Sequence, residues 1–335
     1  MDYDYLLALQ NLRYSLGQGI ENVFVTYSEA ALYVGLVLCA IIYWCISKRT
    51  GQFALLCFSV GNWINQLVKN IACVYRPWIV DSRIMPAPAS LPGATGYSFP
   101  SGHTVTAGVT FGAVAWSVRK KLPIVAIVLV VLVLIEAFSR NFLGVHTPQD
   151  VLVGLLEAAV VVILGSYLYS RYEAYCERTK SETPSKGSRS DAIVVLVVLA
   201  LCIAGLVFVE VKAYPMDYVE GALQVDPELM KRDCFEGVGV MAGMFLGWYC
   251  ERRWVNFGIG SDVRLAERIV RGVVGLVIVG ALFYGFDIVV KAVLDPNMAK
   301  LTSRLVLSFT AMFLVPLTFK PLHRVFAKEN VAEPA

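Results

Sequence analysis

Nine apolar segments, each close to the length that crosses a lipid bilayer, follow one another along this chain of 335 residues. A transmembrane helix needs roughly 20 predominantly apolar residues. Charged residues make up only 16% of the chain, compared with about 25% in a typical soluble domain, so much of its surface must face lipid. The pattern predicts an all-α, polytopic membrane helix bundle with about nine transmembrane helices. The predicted spans cover residues 29–47, 53–75, 104–118, 123–142, 147–170, 192–213, 234–250, 268–292 and 302–320.

A polar stretch separates the first five predicted spans from the last four. It reads TKSETPSKGSRSD over residues 179–191 and contains Pro184 and Gly187, which is typical of a flexible linker. The first 15 residues show neither a basic region nor a small-residue cleavage site, so we expect no removable signal peptide. The predicted organisation is an interfacial N-terminal segment (1–28), a five-span core (29–170), a cytoplasmic linker (171–191), a four-span region (192–320) and a C-terminal tail (321–335).

Lys and Arg residues are concentrated on one side of the predicted spans. Cytoplasmic loops of membrane proteins accumulate these residues. An N-terminus outside the cytoplasm places most of the 29 Lys and Arg residues on the cytoplasmic side. This orientation predicts a cytoplasmic C-terminus, and it places the loop 77–103 and the turn 139–146 on the non-cytoplasmic side.

Charge and cysteine usage exclude several classes of function. The net charge of +3 is small and the basic residues are scattered, which argues against a nucleic-acid partner. The eight cysteines show no CxxC pair and mostly lie in apolar segments, where Cys behaves as a small hydrophobic residue. We therefore expect no structural disulfide, no metal site and no cofactor, and membrane lipids as the surroundings of the chain.

Three short motifs on the non-cytoplasmic side carry most of the candidate chemistry. They read KNIACVYRP from Lys69 to Pro77, PSGH from Pro100 to His103, and SRNFLGVHTPQD from Ser139 to Asp150. Together they supply three cations, two of the three histidines in the chain and a carboxylate. Charged groups near a membrane are costly, so such a cluster is expected where the charges neutralise a ligand or one another. A phosphate group fits this set.

The three cations are Lys69, Arg76 and Arg140. Seven residues separate Lys69 from Arg76, which places both on one face if the second span continues as a helix. A guanidinium can bind two phosphate oxygens in parallel, and a lysine acts as a compact point charge. The alternative for each cation alone is a side chain that extends from a helix end toward the membrane surface.

The PSGH motif comes directly before the third span. Ser101 has the position of a helix N-cap, and Gly102 allows close approach of a ligand to the backbone. A helix N-terminus is a ready anion site, and His103 beside it is suited to give a proton to a leaving group. The alternative is an ordinary capped helix start.

His146 and Asp150 are four residues apart. On a helix the carboxylate then lies against the ring and holds one nitrogen, which leaves the other nitrogen free to attack a substrate. The alternative for Asp150 is a capping arrangement with Thr147 and Pro148.

Taken together, these motifs resemble the type 2 phosphatidic acid phosphatase (PAP2) superfamily, which includes glucose-6-phosphatase and the vanadium haloperoxidases. Its pattern is K-x6-RP, then PSGH, then SR-x5-H-x3-D, and residues of about 50–170 match it at every signature position. The resemblance implies a PAP2-type catalytic core in a bacterial cytoplasmic membrane, and the distribution of Lys and Arg places the active site outside. It implies His146 as the nucleophile, Asp150 as its orienting residue and His103 as the general acid. It implies that the phosphate is bound by Lys69, Arg76, Ser101, Gly102 and Arg140.

The resemblance predicts a metal-independent phosphatase that acts on a lipid phosphate or pyrophosphate through a phosphohistidine. One alternative is a glucose-6-phosphatase-like hydrolase of a soluble phosphate ester. A second is a transporter or lipid-binding protein that keeps the fold without the chemistry, although every catalytic position is intact.

Overall fold

The computed structural model describes residues 3–180, 189–219 and 221–329, and these are almost entirely helical. A helix satisfies its own backbone hydrogen bonds, which lipid cannot do. The described residues contain one antiparallel pair of two-residue strands, in which Tyr218 pairs with Leu223. The all-α prediction is confirmed. The helices are α1 (Tyr3–Leu16), α2 (Gln18–Ile41), α3 (Lys48–Ala72), α4 (Pro77–Val80), α5 (Gly102–Val118), α6 (Pro123–Phe142), α7 (Pro148–Lys180), α8 (Arg189–Val211), α9 (Pro227–Cys250), α10 (Leu265–Ala281), α11 (Asp287–Val293), α12 (Pro296–Phe309), α13 (Val315–Leu317) and α14 (Phe319–Glu329), with strands β1 (Tyr218–Val219) and β2 (Ala222–Leu223).

Four π-helical turns extend or join these helices. Such turns insert one residue into the helical ladder without ending the helix. They turn α10 and α11 into one continuous helical stretch, and α12 and α13 into another. The π-helical turns are Ile42–Ile46, Glu251–Val255, Leu282–Phe286 and Thr310–Leu314.

Six helical stretches in the described residues are long and apolar enough to cross a membrane. The chain is therefore a membrane protein, but the count of nine spans stays a prediction. The remaining three predicted spans fall in α3, α5 and α9. Helix α5 has only 17 residues, and α3 and α9 carry polar side chains such as Asn65, Lys69 and Asp233. The six stretches are Gln18–Ile46, Pro123–Phe142, Pro148–Arg178, Arg189–Val211, Leu265–Val293 and Pro296–Phe326.

The chain forms two compact units that do not follow its linear order. Several long helices, α2 among them, contribute residues to both units, so a division at a single linker does not describe the fold. Unit 1 comprises Met1–Val37, Val60–Gly165 and Val207–Cys234, and unit 2 comprises Leu38–Ser59, Ser166–Leu206 and Phe235–Ala335.

The N-terminal segment consists of two helices that meet at Gly17, whose φ of 80° is a left-handed conformation that glycine adopts readily. Helix α2 therefore starts at Gln18, earlier than the span predicted from residue 29. In α1, Leu6, Leu9 and Arg13 are buried. The Arg13 side chain donates to the backbone carbonyls of Phe142, at 3.1 Å, and of Met85. These bonds hold α1 against the end of α6 and against the loop that precedes the PSGH motif.

Helices extend further into the predicted linker and tail than the sequence suggested. Helix α7 continues to Lys180 and α8 begins at Arg189, so both ends of the predicted linker 171–191 are helical. Its centre, 181–188, lies outside the described residues. The predicted tail 321–335 begins inside α14, and residues 330–335 also lie outside the described residues.

In unit 2, a glycine repeat lets α9 pack closely against α12. A Cβ atom at Gly239 or Gly243 would lie 2.3 Å from the carbonyl oxygen of Leu301 or Leu305, respectively. Small residues at a spacing of four allow helices in membranes to approach closely. The repeat therefore serves helix packing.

Candidate active site

His146 lies at the start of α7, in the turn that joins α6 to α7. Its neighbour Val145 belongs to a buried apolar cluster with Phe142 and Leu143, and this packing holds the turn in place. The backbone N–H of His146 donates to the Arg140 carbonyl at 3.3 Å, and the Asn141 side chain donates to the His146 carbonyl at 2.9 Å. His146 is 1% exposed, and its backbone is held on both sides.

Asp150 both caps α7 and contacts His146. Its Oδ2 accepts from the backbone N–H of Thr147 at 2.8 Å, and its own N–H donates to Thr147 Oγ1 at 3.3 Å. The same Oδ2 lies 3.3 Å from His146 Nδ1. The two interpretations of Asp150 are therefore compatible, because one carboxylate oxygen serves the helix cap and the imidazole together.

The partners of His146 define its tautomer. Arg76 Nη1 lies 2.9 Å from His146 Nε2. A guanidinium only donates, so Nε2 accepts and the ring proton sits on Nδ1, facing Asp150. Burial, followed by the charges of Arg76, Lys69 and Arg140, lowers the pKa of His146 well below its usual value. The imidazole is neutral at neutral pH and directs a lone pair away from Asp150.

The sequence prediction that the second ring nitrogen is free was wrong. In this structure Nε2 accepts the hydrogen bond from Arg76, so an attacking Nε2 would first exchange this donor. The other guanidinium bonds of Arg76 go to the carbonyls of Thr95, Gly96 and Val145, at 2.9, 3.1 and 3.0 Å. Arg76 is thus anchored by the loop and aimed at His146.

Lys69 and Arg76 converge, but they do not share a helix face. Helix α3 ends at Ala72, and Cys73 has a positive φ of 48° that breaks the helical path. Arg76 lies in the extended segment beyond. The two cations meet through the next loop, since Lys69 Nζ donates to the Tyr97 carbonyl at 3.1 Å and Arg76 binds the adjacent residue Gly96. The helical-face argument was wrong, although its conclusion that the two residues point to one place is right.

Arg140 is fully buried in the last turn of α6. Its Nη1 donates to Ser28 Oγ at 2.7 Å. Its Nε and Nη2 have no hydrogen-bond partner among the described residues. Buried guanidinium donors are costly to leave unpaired, so this side chain is prepared to bind an anion.

The PSGH motif starts α5 as expected, but Ser101 does not cap it through its side chain. Ser101 is the N-cap residue, and its Oγ accepts from Thr104 Oγ1 at 3.0 Å. Its backbone N–H donates to the Asp150 carbonyl at 3.0 Å, which joins α5 to α7. A Cβ at Gly102 would lie 3.2 Å from Asn65 Oδ1, so the glycine allows α3 to approach closely. His103 Nε2 lies 3.5 Å from Glu29 Oε1.

All eight predicted site residues belong to unit 1. The cations Lys69, Arg76 and Arg140 all act electrostatically on His146, and so does His103. Within the described ranges, no three His, Cys, Asp or Glu side chains form a group suited to a metal ion. None of the eight cysteines, all of which lie in the described ranges, forms a disulfide.

Two family models match the chain. The PAP2 superfamily model matches residues 52–174, which contain all eight site residues, and the model of the PAP2 superfamily phosphatase transmembrane extension matches residues 235–328. The chain contains a PAP2 superfamily domain. Phosphatidylglycerophosphatase B of Bacillus subtilis (strain 168) is 30% identical over 137 residues, which are 39% of this chain. The aligned region spans 60% of that relative's length. No solved structure matches the chain significantly.

Four residues around the PAP2 motifs were missed by sequence reasoning. Ser98 Oγ donates to Asp150 Oδ2 at 2.5 Å and lies 3.3 Å from His146 Nδ1, so it completes the contact between these two residues. Its only sequence signal is its position two residues before Pro100. The other three are Asn65 in α3, and Ser28 and Glu29 in α2. The two in α2 lie outside the residues matched by the superfamily model.

Proposed function

We propose that the protein is a phosphatase that hydrolyses a lipid phosphate through a phosphohistidine at His146. The observation that carries this proposal is the geometry around the imidazole, whose Nδ1 lies 3.3 Å from Asp150 Oδ2 and whose Nε2 lies 2.9 Å from the Arg76 guanidinium. A nucleophile of this kind needs an unprotonated nitrogen in a site that neutralises phosphate charge. Ser98 Oγ also donates to Asp150 Oδ2, which helps to hold this carboxylate beside the imidazole.

In the proposed reaction, Nε2 of His146 attacks phosphorus while the bond from phosphorus to the ester oxygen breaks. His103 gives its proton to that oxygen, and the alcohol leaves. His103, now neutral, takes a proton from water, and the resulting hydroxide attacks phosphorus. The bond from phosphorus to nitrogen breaks, which restores His146 and releases inorganic phosphate.

The phosphate oxygens would be bound by Lys69, Arg76, Arg140 and the backbone at Ser101 and Gly102. The unpaired Nε and Nη2 of Arg140 support this role, because they are donors without acceptors in the described residues. Phosphoryl transfer requires positioning and charge neutralisation more than covalent chemistry. Three cations supply the neutralisation that divalent metals supply in many other phosphotransfer enzymes. Their positive field also disfavours a bound Mg²⁺.

The substrate we propose is a glycerophospholipid phosphate, of the type that the name phosphatidylglycerophosphatase indicates for the Bacillus subtilis relative. The test is phosphate release in detergent micelles from phosphatidylglycerophosphate, phosphatidic acid and glucose 6-phosphate. We expect turnover of the lipids that depends on their mole fraction in the micelle surface. Turnover of glucose 6-phosphate at a comparable rate would show a soluble substrate instead, and no turnover of any ester would contradict a phosphatase.

Vanadate is expected to inhibit competitively, and EDTA is expected to have no effect. Vanadate resembles the transferred phosphoryl group, so it should bind the same cations, while a chelator has nothing to remove from a site built from Lys and Arg. The measurement is initial rate against substrate concentration, with vanadate, EDTA or neither. Loss of activity in EDTA with recovery in Mg²⁺ would contradict the proposed chemistry.

We also propose nine spans, with the N-terminus and the active site outside a bacterial cytoplasmic membrane and the C-terminus in the cytoplasm. The distribution of Lys and Arg supports this orientation. Pro92 and Lys120 are both exposed and lie on opposite sides of the proposed third span.

Cysteine labelling of intact cells tests this orientation. Single cysteines are introduced at Pro92 and Lys120 after replacement of Cys73 and Cys250, the two native cysteines that are not buried. An impermeant thiol reagent should label the cysteine at 92 and should label the one at 120 only after lysis. The reverse pattern would overturn the orientation.

A further inference from the structure

Helix α2 carries two consecutive polar residues, Ser28 and Glu29, to the catalytic residues of unit 1. They lie N-terminal to residues 52–174, the range that the superfamily model matches. Ser28 is 0% exposed. In a helical stretch that is long and apolar enough to cross a membrane, a buried serine followed by a glutamate is costly unless both side chains have partners. This combination indicates a function for the two polar residues.

The first of the pair fixes the position of α2 against α6. Ser28 Oγ accepts from Arg140 Nη1 at 2.7 Å and donates to Glu136 Oε1 at 2.6 Å. The preceding residue, Tyr27, donates through its hydroxyl to the Leu132 carbonyl at 2.6 Å. These bonds set the rotation of α2 and thereby determine where the next side chain points.

The next side chain is Glu29, and it meets the proposed general acid. Its Oε1 lies 3.5 Å from His103 Nε2, which is an ion-pair distance and longer than a well-aligned hydrogen bond. Catalytic hydrogen bonds are often long without substrate and shorten when it binds. The carboxylate oxygen also lies where a side chain at position 93 would stand, since a Cβ at Gly93 would be 2.6 Å from Glu29 Oε1. Glycine at position 93 leaves room for the carboxylate beside His103.

The charges around His103 make this contact chemically significant. Arg140 and Arg76 place positive charge near the imidazole, and Glu29 places negative charge near it. A general acid must carry a second ring proton before the ester bond breaks, and two nearby cations oppose that proton. A carboxylate that accepts from Nε2–H opposes their effect, and it leaves the proton on Nδ1 for the leaving oxygen.

We propose that Glu29 is the positioning residue of His103. It holds the ring and stabilises the imidazolium that protonates the leaving alcohol in the first step and that re-forms when His103 takes a proton from water in the second. This inference rests on the proposed phosphatase function. It extends the active site to a helix outside the superfamily match and gives His103 the same kind of partner that Asp150 gives His146.

The test is a leaving-group comparison on Glu29→Gln, in the first turnover, with a lipid alkyl phosphate and with p-nitrophenyl phosphate. We expect the rate on the alkyl phosphate to fall roughly 10- to 100-fold, the range for loss of a hydrogen bond to a charged group, and the rate on the aryl ester to change little. Glu21→Gln is the matched control, because Glu21 lies on the same helix as Glu29 and its carboxylate contacts Arg13 of α1 instead of His103. Equal losses on both esters, or none, would overturn the inference.

A double-mutant cycle separates positioning from a general effect on folding. If Glu29 acts through His103, then Glu29→Gln should cause no further loss in a His103→Ala background. Multiplicative losses in the double variant would contradict the proposal. An inactive wild-type protein, or full activity of His146→Ala, would instead contradict the proposed function on which the inference rests.

Gly93→Ala supplies a second variant that keeps the carboxylate. The added methyl group should displace the Glu29 side chain from His103. We therefore expect a lower rate on the alkyl phosphate and little change in the rate on the aryl ester. The same substitution in a Glu29→Gln background should lower the rate on the alkyl phosphate by a smaller factor. Retention of full alkyl phosphatase activity by Gly93→Ala would argue against the contact.

Discussion

His146→Ala is expected to release no measurable phosphate from any ester, alkyl or aryl. The proposed reaction passes through a bond between Nε2 and phosphorus. Without the imidazole this intermediate cannot form, so the reaction is abolished and not merely slowed. The remaining cations would still bind phosphate. Substrate binding, measured as protection of the protein against proteolysis or thermal unfolding, should therefore persist while turnover is lost.

Trapping of the intermediate checks this prediction directly. Wild-type protein mixed with a ³²P-labelled substrate and quenched in alkali should retain label that acid then releases, as expected of a phosphoramidate. His146→Ala should retain none. His323→Ala is the matched control, because this histidine lies in unit 2, where its Nδ1 lies 3.0 Å from Glu267 Oε2. Equal labelling of wild type and His146→Ala would refute the phosphohistidine.

Residues that are close in sequence were the predictable part of the site. His146 and Asp150 are joined by one helical turn, and Ser101 and His103 by the start of α5, so local spacing alone brings each pair together. The long apolar segments were predictable for the same reason, since a run of apolar residues indicates a helix without knowledge of its neighbours.

The connection between Lys69 and Arg76 shows the limit of periodic reasoning. Seven residues correspond to nearly two helical turns, yet the left-handed conformation at Cys73 ends the helix between them. A cysteine in the sequence does not predict a left-handed conformation, as a glycine would. The two cations converge because the loop at Gly96 and Tyr97 offers carbonyls to both, and this loop is distant from α3 in sequence.

Residues that meet only in the folded chain could not be predicted. Ser28 bonds with Arg140 across 112 positions, and Asn65 donates to the carbonyl of Pro100 across 35. No spacing rule links such positions. Helices α3 and α9 are not among the six stretches that are apolar enough to cross a membrane, because polar residues, such as Lys69 in α3, lower their apolar signal.

His103→Ala should separate the two histidines, which the motifs alone present as a pair. If His103 protonates the departing oxygen, its removal matters most when that oxygen is a poor leaving group, as in a lipid alkyl phosphate. We expect a loss on the order of 10² to 10⁴ in rate on the lipid, the usual range for general acid catalysis. On p-nitrophenyl phosphate, whose phenolate leaves without a proton, the loss should be much smaller.

The comparison must use the first turnover, because His103 is also proposed to activate water for hydrolysis of the phosphohistidine. In the steady state, slow hydrolysis of that intermediate would lower the rate on both esters and hide the difference between them. In the labelling experiment, the same defect should make the phosphoenzyme of His103→Ala accumulate to a higher level than that of wild type when p-nitrophenyl phosphate is the substrate. Equal first-turnover losses on the two esters would refute general acid catalysis and leave His103 as a phosphate ligand, since a ligand stabilises the transferred group whatever alcohol departs.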